Sequence, residues 1–269
     1  MVPGVRIPLV QHSTRRRRAR YRRVLWSGAE LLVTAGVLVL LLVVHQLWWT
    51  NREAREGAER TVEALEREWG AAGTEAGAGG SGRGSGGDGD VDGGSGSGGG
   101  RGSGRSGGTT TTSSATPVPS QAYAVLRIPR LHLRVPVAEG TSKQKVLDKG
   151  YAGHYAHTQQ PGQEGNFAVA GHRNTHGEPF RYLNRLEKGD TVEVETRNAM
   201  YTYTVDKILP QTSPRDSGVV RPVPRSLTRP AHGYSVPGRY LTLTTCTPEY
   251  TSRFRLVVWG KLTATRPRG

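Results

Sequence analysis

With a single cysteine, Cys246, the 269-residue chain cannot form an intramolecular disulfide, and its thiol is left for packing or for reaction. Acids are missing from residues 1–23, which hold 8 Lys/Arg, so this block is either a nucleic-acid patch or the cytoplasmic flank of a membrane span. No small-x-small cleavage pattern follows the apolar run that ends at Val44, which argues for an uncleaved anchor over a removed signal peptide. The glycine-rich tract further on has no strand before it, no helix after it and no Gly-Lys-Ser/Thr ending, which excludes a phosphate loop. The histidines are not spaced with acids or further cysteines as a metal site requires, so no metal and no cofactor is expected.

What is present divides the chain by composition. Residues 1–23 form a basic tail, and residues 24–49 are mostly apolar, with Leu31–Val44 interrupted only by Thr34 and with Trp26, Trp48 and Trp49 near the two ends. About 20 helical residues cross a bilayer, and aromatic residues suit headgroup depth, so 24–49 reads as a single transmembrane anchor. The positive flank stays inside, which predicts a cytoplasmic N-terminus and an extracellular remainder. Residues 50–116 are expected to be a short exposed helix over 51–69, rich in Glu, Arg and Ala, followed by a Gly/Ser/Thr-rich disordered linker. Gly70–Gly108 alone holds 20 of the 37 glycines, and a coil of 47 such residues has a root-mean-square span of about 35 to 40 Å. Residues 117–262 are long enough for one domain with its own core, and 263–269 read as a C-terminal tail.

Within that domain, β-branched or alternating runs separated by Gly, Pro and polar turns predict strands at 122–128, 131–137, 166–170, 191–196, 200–209, 240–245 and 254–262. Only 142–148 and 180–186 read as helical turns. The fold class is therefore all-β, a barrel or a sandwich with one or two short helices. The domain's Lys and Arg are scattered and the basic run lies beside the apolar span, so no nucleic-acid partner is expected.

Cys246 ends the alternating strand 240–245, just before a Thr-Pro turn. A free thiol near pKa 8.5 is only a few per cent ionised at neutral pH, so reaction needs a base or cation beside it. His132, His154, His157, His172, His176 and His232 lie in the domain; His172 is the one immediately after an apolar strand, behind Gly171, whose missing side chain allows close approach by a neighbour or substrate. After the turn, Arg253 and Arg255 lead into a strand antiparallel to the first, with Arg255, Val257 and Trp259 on one face and Phe254, Leu256 and Val258 on the other. A guanidinium facing the thiol is suited to an oxyanion. Sequence parity alone does not separate Arg253 from Arg255.

The strand TLTTC at 242–246, GHR at 171–173 and an Arg nine residues after the Cys leading into LVVWGKL resemble the sortases, membrane-anchored cysteine transpeptidases of Gram-positive bacteria. The likeness covers about residues 122–262. The elements Gly153-His154-Tyr155, Pro161-Gly162, Gly165-Asn166-Phe167 and Ala170–Arg173 are most similar to actinobacterial class E members. Tyr151-Ala152 stands where a Gly-Pro pair is expected, a departure that touches no catalytic role.

This resemblance implies a closed eight-stranded sortase-type β-barrel, with Cys246 as nucleophile, His172 as general acid/base and Arg255, favoured over Arg253 by its position, as stabiliser of substrate and oxyanion. It implies cleavage of a C-terminal Leu-Ala-x-Thr-Gly or Leu-Pro-x-Thr-Gly sorting signal at Thr-Gly through a thioester. Its expected partners are surface proteins bearing the signal and a peptidoglycan-precursor amine as acceptor. A pilin-polymerising sortase, whose amine is a pilin lysine, is the alternative within the family; a cysteine hydrolase is a third reading. A non-catalytic cell-wall-binding protein is the alternative outside it.

Overall fold

The structure, a computed structural model, describes residues 12–78 and 117–268. The chain divides into two compact units at Arg52. Helix α1 (His12–Ala78) supplies the first of them, and its Leu31–Val44 stretch is exposed throughout. Among the described residues it is the one helix long and apolar enough to cross a membrane.

The second unit begins within α1 and differs from expectation in two respects. The helix continues past residue 69 to Ala78, through Gly70, Gly73 and Gly77, because extending a nucleated helix through Ala71, Ala72, Ala76 and Ala78 adds one hydrogen bond per residue without a new nucleus. The remainder of the tract expected to be a disordered linker, 79–116, lies outside the described residues. Nor is the helix exposed on all sides. Ala54, Ala58, Val62 and Trp69 are buried, with Leu65 partly so, a stripe at intervals of three and four residues that covers Val125 of the domain. Its polar flank is fastened too, since Glu66 accepts from both Arg127 and Arg134, and Thr61 Oγ1 bonds the Tyr151 hydroxyl at 2.8 Å. The departure noted at Tyr151 thus has a use here.

The domain is a closed barrel of β1 (Ala122–Ile128), β2 (Leu133–Glu139), β3 (Ala152–His154), β4 (Gly165–Ala170), β5 (Thr191–Thr196), β6 (Ala199–Thr212), β7 (Arg239–Thr247) and β8 (Phe254–Pro267), joined in the order β1-β2-β3-β4-β7-β8-β6-β5. Neighbours are antiparallel except β2 with β3 and β4 with β7. Three residues of β3 carry too short a pattern to be read as a strand, and the stretch 263–267 continues β8 alongside β6. Where helical turns were expected, 142–148 and 180–186 give only single 3-10 turns, Leu147–Lys149 and Leu183–Arg185.

Alternation separates two apolar layers. Phe167 and Val169 of β4, Leu241 and Leu243 of β7, and Leu256 and Val258 of β8 point into the barrel core. Tyr240, Val257 and Trp259 point outward, into a second cluster with Leu209, Val219 and Tyr234. The segment between β6 and β7 covers that outer face. It is held by Asp216, which accepts from Thr212, Ser226 and Thr228 hydroxyls and from the Leu227 amide, while Val219 O accepts from Trp259 Nε1 and Thr242 Oγ1.

Candidate active site

β7 lies between β4 and β8, and that placement assembles the site. In the β7–β8 register Cys246 is directly opposite Arg255. Cys246 shares parity with Thr242 and Thr244, and Arg255 with Val257 and Trp259, so both side chains belong to the outer face of the barrel, where a substrate can reach them. On the other side, parallel pairing runs from Gly165 opposite Arg239 to Ala170 opposite Thr244. Two residues further along each chain bring His172 level with Cys246. The Gly171 amide donates to Thr244 O at 3.1 Å and Thr245 Oγ1 donates to Gly171 O at 2.8 Å, which carries the alignment past the end of the strand.

Gly171 is needed for space. A Cβ there would lie 2.7 Å from Cδ2 of Phe180, whose ring is fully buried, and Phe180 N donates to His172 O at 3.0 Å. Of the two possibilities for this glycine, a neighbour or the substrate, the structure puts the Phe180 ring against it, and that ring seats the loop bearing His172.

His172 is half-buried, and its Nε2 is 2.9 Å from Asp148 Oδ1. Burial pulls its pKa below the ordinary value; the Asp148 carboxylate opposes that, because it favours the imidazolium by hydrogen bond and by charge. His176 stacks on the His172 ring at 5.4 Å between centroids, and its Nδ1 is 3.5 Å from the same Asp148 oxygen. Asp148, His172 and His176 are the one group of metal-ligating side chains brought together among the described residues. Sequence spacing concealed it, because Asp148 lies on a different element from the two histidines.

Arg255 donates through Nη1 to the carbonyls of Ser252 and Phe254, each at 3.0 Å, which holds its guanidinium at the entrance of β8. Arg253 is exposed and lies over the Phe254 ring. Register therefore separates two residues that parity could not, since only Arg255 pairs with Cys246. Of the remaining histidines, His154 is buried between Glu139 (2.7 Å) and Thr158 (2.9 Å) as a structural residue, and His157 is exposed.

Two contributors are given no role by the sequence, although Arg173 ends its GHR motif. Buried Arg173 donates from Nη1 to Cys246 O at 3.2 Å and to Thr247 Oγ1 at 2.9 Å, fixing the end of β7 that carries the thiol. Buried Glu178 accepts from Arg55 of α1 and from Arg181, and Arg181 reaches on to Glu249 and the Tyr250 hydroxyl in the β7–β8 loop. His176, Gly177 and Glu178 all have positive φ, so this turn needs such a tie.

Residues 126–263 match the sortase domain family. Two proteins of Streptomyces coelicolor are similar over most of the chain. Sortase SrtE1 is 42% identical over 264 residues, spanning 94% of this chain and 63% of its own length. Sortase SrtE2 is 33% identical over 254 residues, spanning 88% of this chain and 81% of its own length. The chain thus covers less than two thirds of the first of these. Among solved structures, that of sortase E1 from Streptomyces coelicolor with a tripeptide in the active site is 52% identical, with a TM-score of 0.53 over 57% of this chain and 94% of that one.

Proposed function

Because the chain belongs to the sortase family of cysteine transpeptidases, we propose that it cleaves a C-terminal sorting signal at a Thr-Gly bond and transfers the new carboxyl end to an amine of a cell-wall precursor. The observation that carries this reading is the register of three adjacent strands. It sets Cys246 opposite Arg255 and level with His172, all three partly exposed.

In this mechanism the Cys246 thiol gives its proton to His172 as the sulfur attacks the threonine carbonyl carbon, and the negative charge that develops on oxygen is met by the Arg255 guanidinium. The C–N bond breaks as His172 delivers a proton to the departing glycine amine, leaving a thioester on Sγ. An incoming amine then attacks the thioester, gives a proton to His172 and releases Cys246. Asp148 on Nε2 leaves the other ring nitrogen, Nδ1, for these transfers, and burial favours the neutral ring that accepts a proton. Arg173 acts through the backbone of Cys246 as a positioning residue.

Similarity to sortases E1 and E2 favours a Leu-Ala-x-Thr-Gly signal over Leu-Pro-x-Thr-Gly, and a tripeptide held in the active site of sortase E1 fits peptide recognition at this site. The basic block before the apolar stretch favours a cytoplasmic N-terminus and an extracellular barrel, on the side where sorting signals and wall precursors meet. The test is mass spectrometry of Cys246 after incubation with sorting-signal peptides that differ at the second position. A thioester with the Leu-Ala peptide, formed faster than with Leu-Pro and absent in Cys246→Ala, is expected; no thioester with any peptide overturns the proposal.

A further inference from the structure

We propose that Asp148, His172 and His176 form a binding site for a divalent first-row transition cation of the zinc type, and that the cation silences the enzyme by occupying His172. The inference rests on the acid/base role of His172 stated above. Two imidazoles and one carboxylate are a donor set that suits zinc, cobalt or nickel rather than calcium or magnesium, which prefer oxygen ligands throughout.

The geometry is close to what such an ion needs. Bonds of 2.0 to 2.1 Å in a tetrahedral arrangement place neighbouring ligand atoms about 3.3 Å apart. Here His172 Nε2 lies 2.9 Å and His176 Nδ1 3.5 Å from Asp148 Oδ1, and all three donor atoms fall within 4.8 Å of one another. A second observation points the same way. His176 Nδ1 is buried and has no hydrogen-bond partner among the described residues, although a buried polar atom without one is costly. The strained backbone at His176, with φ of 52°, holds the ring over His172, stacked on it. The supports are fixed by hydrogen bonds, with Asp148 N donating to Lys143 O at 2.7 Å and His172 O accepting from Phe180 N. The Lys143 charge disfavours the His172 imidazolium and likewise works against a bound cation.

The effect on catalysis follows from the two ring nitrogens. A cation takes the lone pair of Nε2, so the ring proton resides on Nδ1. A ring bound through Nε2 cannot become the imidazolium that delivers a proton to the departing amine, and its protonated Nδ1 has no lone pair with which to accept the proton of the incoming amine, so thioester formation and resolution both slow; Asp148 is drawn from the imidazole to the ion. Three protein ligands leave a fourth position for water.

Binding is read first on the full-length Cys246→Ala chain in detergent, which removes the thiolate as a competing ligand. Cobalt(II) added to it should give the visible absorption of a low-symmetry site, displaced by zinc. Adding His176→Ala or Asp148→Asn to that background should weaken binding by about 100-fold or more, since even outer-shell partners of a ligand are worth about 10- to 100-fold. Loss of the cobalt signal on Cys246→Ala alone means that the thiolate held the metal and overturns the proposal, as does unchanged binding in both ligand variants. On the unmodified chain, zinc should lower the rate of thioester formation, with EDTA restoring it. The His176→Ala chain, compared with its own rate in EDTA, should need about 100-fold more zinc for the same inhibition. Equal zinc sensitivity in the two overturns the silencing. The cobalt measurement uses a chain that cannot turn over, so its failure leaves the transpeptidase reading intact, and absence of a thioester leaves the metal site intact.

Discussion

Replacing Trp69 by alanine tests whether the second half of α1 belongs to the catalytic unit. Trp69 is 5% exposed, shares a cluster with fully buried Val62 and Val125, and has the Arg268 guanidinium over its ring at 5.3 Å. Truncation of a buried Trp costs about 3 to 5 kcal/mol, and the lower part of that range applies here because a gap at a seam admits water. The lost cation–π contact lies within the same truncation. Taking about 3 to 4 kcal/mol, and about 2 to 4 °C of melting temperature per kcal/mol for a domain of this size, the expected fall is roughly 6 to 16 °C. The assay is thermal unfolding of the full-length chain in detergent, followed by near-ultraviolet circular dichroism so that barrel packing is what reports. Trp49→Ala, at a residue 53% exposed, serves as the control and should leave the transition in place. A Trp69→Ala transition within about 1 °C of the unmodified chain would refute the claim that the helix is part of the folded unit.

Asp148→Asn removes the carboxylate that favours the His172 imidazolium, so the His172 pKa should fall further below its ordinary value and the ring should stay neutral to lower pH; an NMR titration of the imidazole reads this directly. Arg255→Ala should cut thioester formation by about 100- to 1,000-fold, as loss of an oxyanion donor does, whereas Arg253→Ala should stay within about threefold. Gly171→Ala drives a methyl into the Phe180 ring and should cost about 1 to 3 kcal/mol in denaturant unfolding while slowing acylation by shifting His172. At Asp216 burial acts to raise the pKa, but the bonds from Ser226, Thr212, Leu227 N and Thr228 outweigh it and hold the carboxyl below its ordinary value. Its contribution is therefore present above the unfolded pKa and is lost as pH falls through the folded one. Asp216→Asn should be less stable by about 2 to 4 kcal/mol at neutral pH, with the difference shrinking in acid.

Local pattern and distant contact account for different parts of this site. β1 and β5 lie where alternation places them, and the parity of β8 separates Leu256 and Val258 from Val257 and Trp259 as the two apolar layers require. Cys246 and Arg255 are legible because they are close in sequence and joined by one loop. His172 stands out only by following an apolar strand, and what aligns it with Cys246 is a parallel pairing across 74 positions, Asn166 with Tyr240. Asp148 and Glu178 are silent in the sequence, and Arg173 shows there only as the end of the GHR motif, since each acts through a partner on another element. The stripe from Ala54 to Trp69 has helical spacing, but the Glu and Arg between its members disguise a face that a barrel covers.

Glu178 also sets a condition on any attempt to graft the β7–β8 loop from one sortase to another. Arg181 holds Glu249 and Tyr250 of that loop only while Glu178 fixes Arg181, and Arg55 of the helix competes for the same Glu178 oxygen. A transplanted loop without its matching Arg, or a barrel excised without the helix, leaves one of these charges unbalanced. The exchangeable cassette is therefore discontinuous, made of the loop, the turn at 176–181 and one residue of the helix.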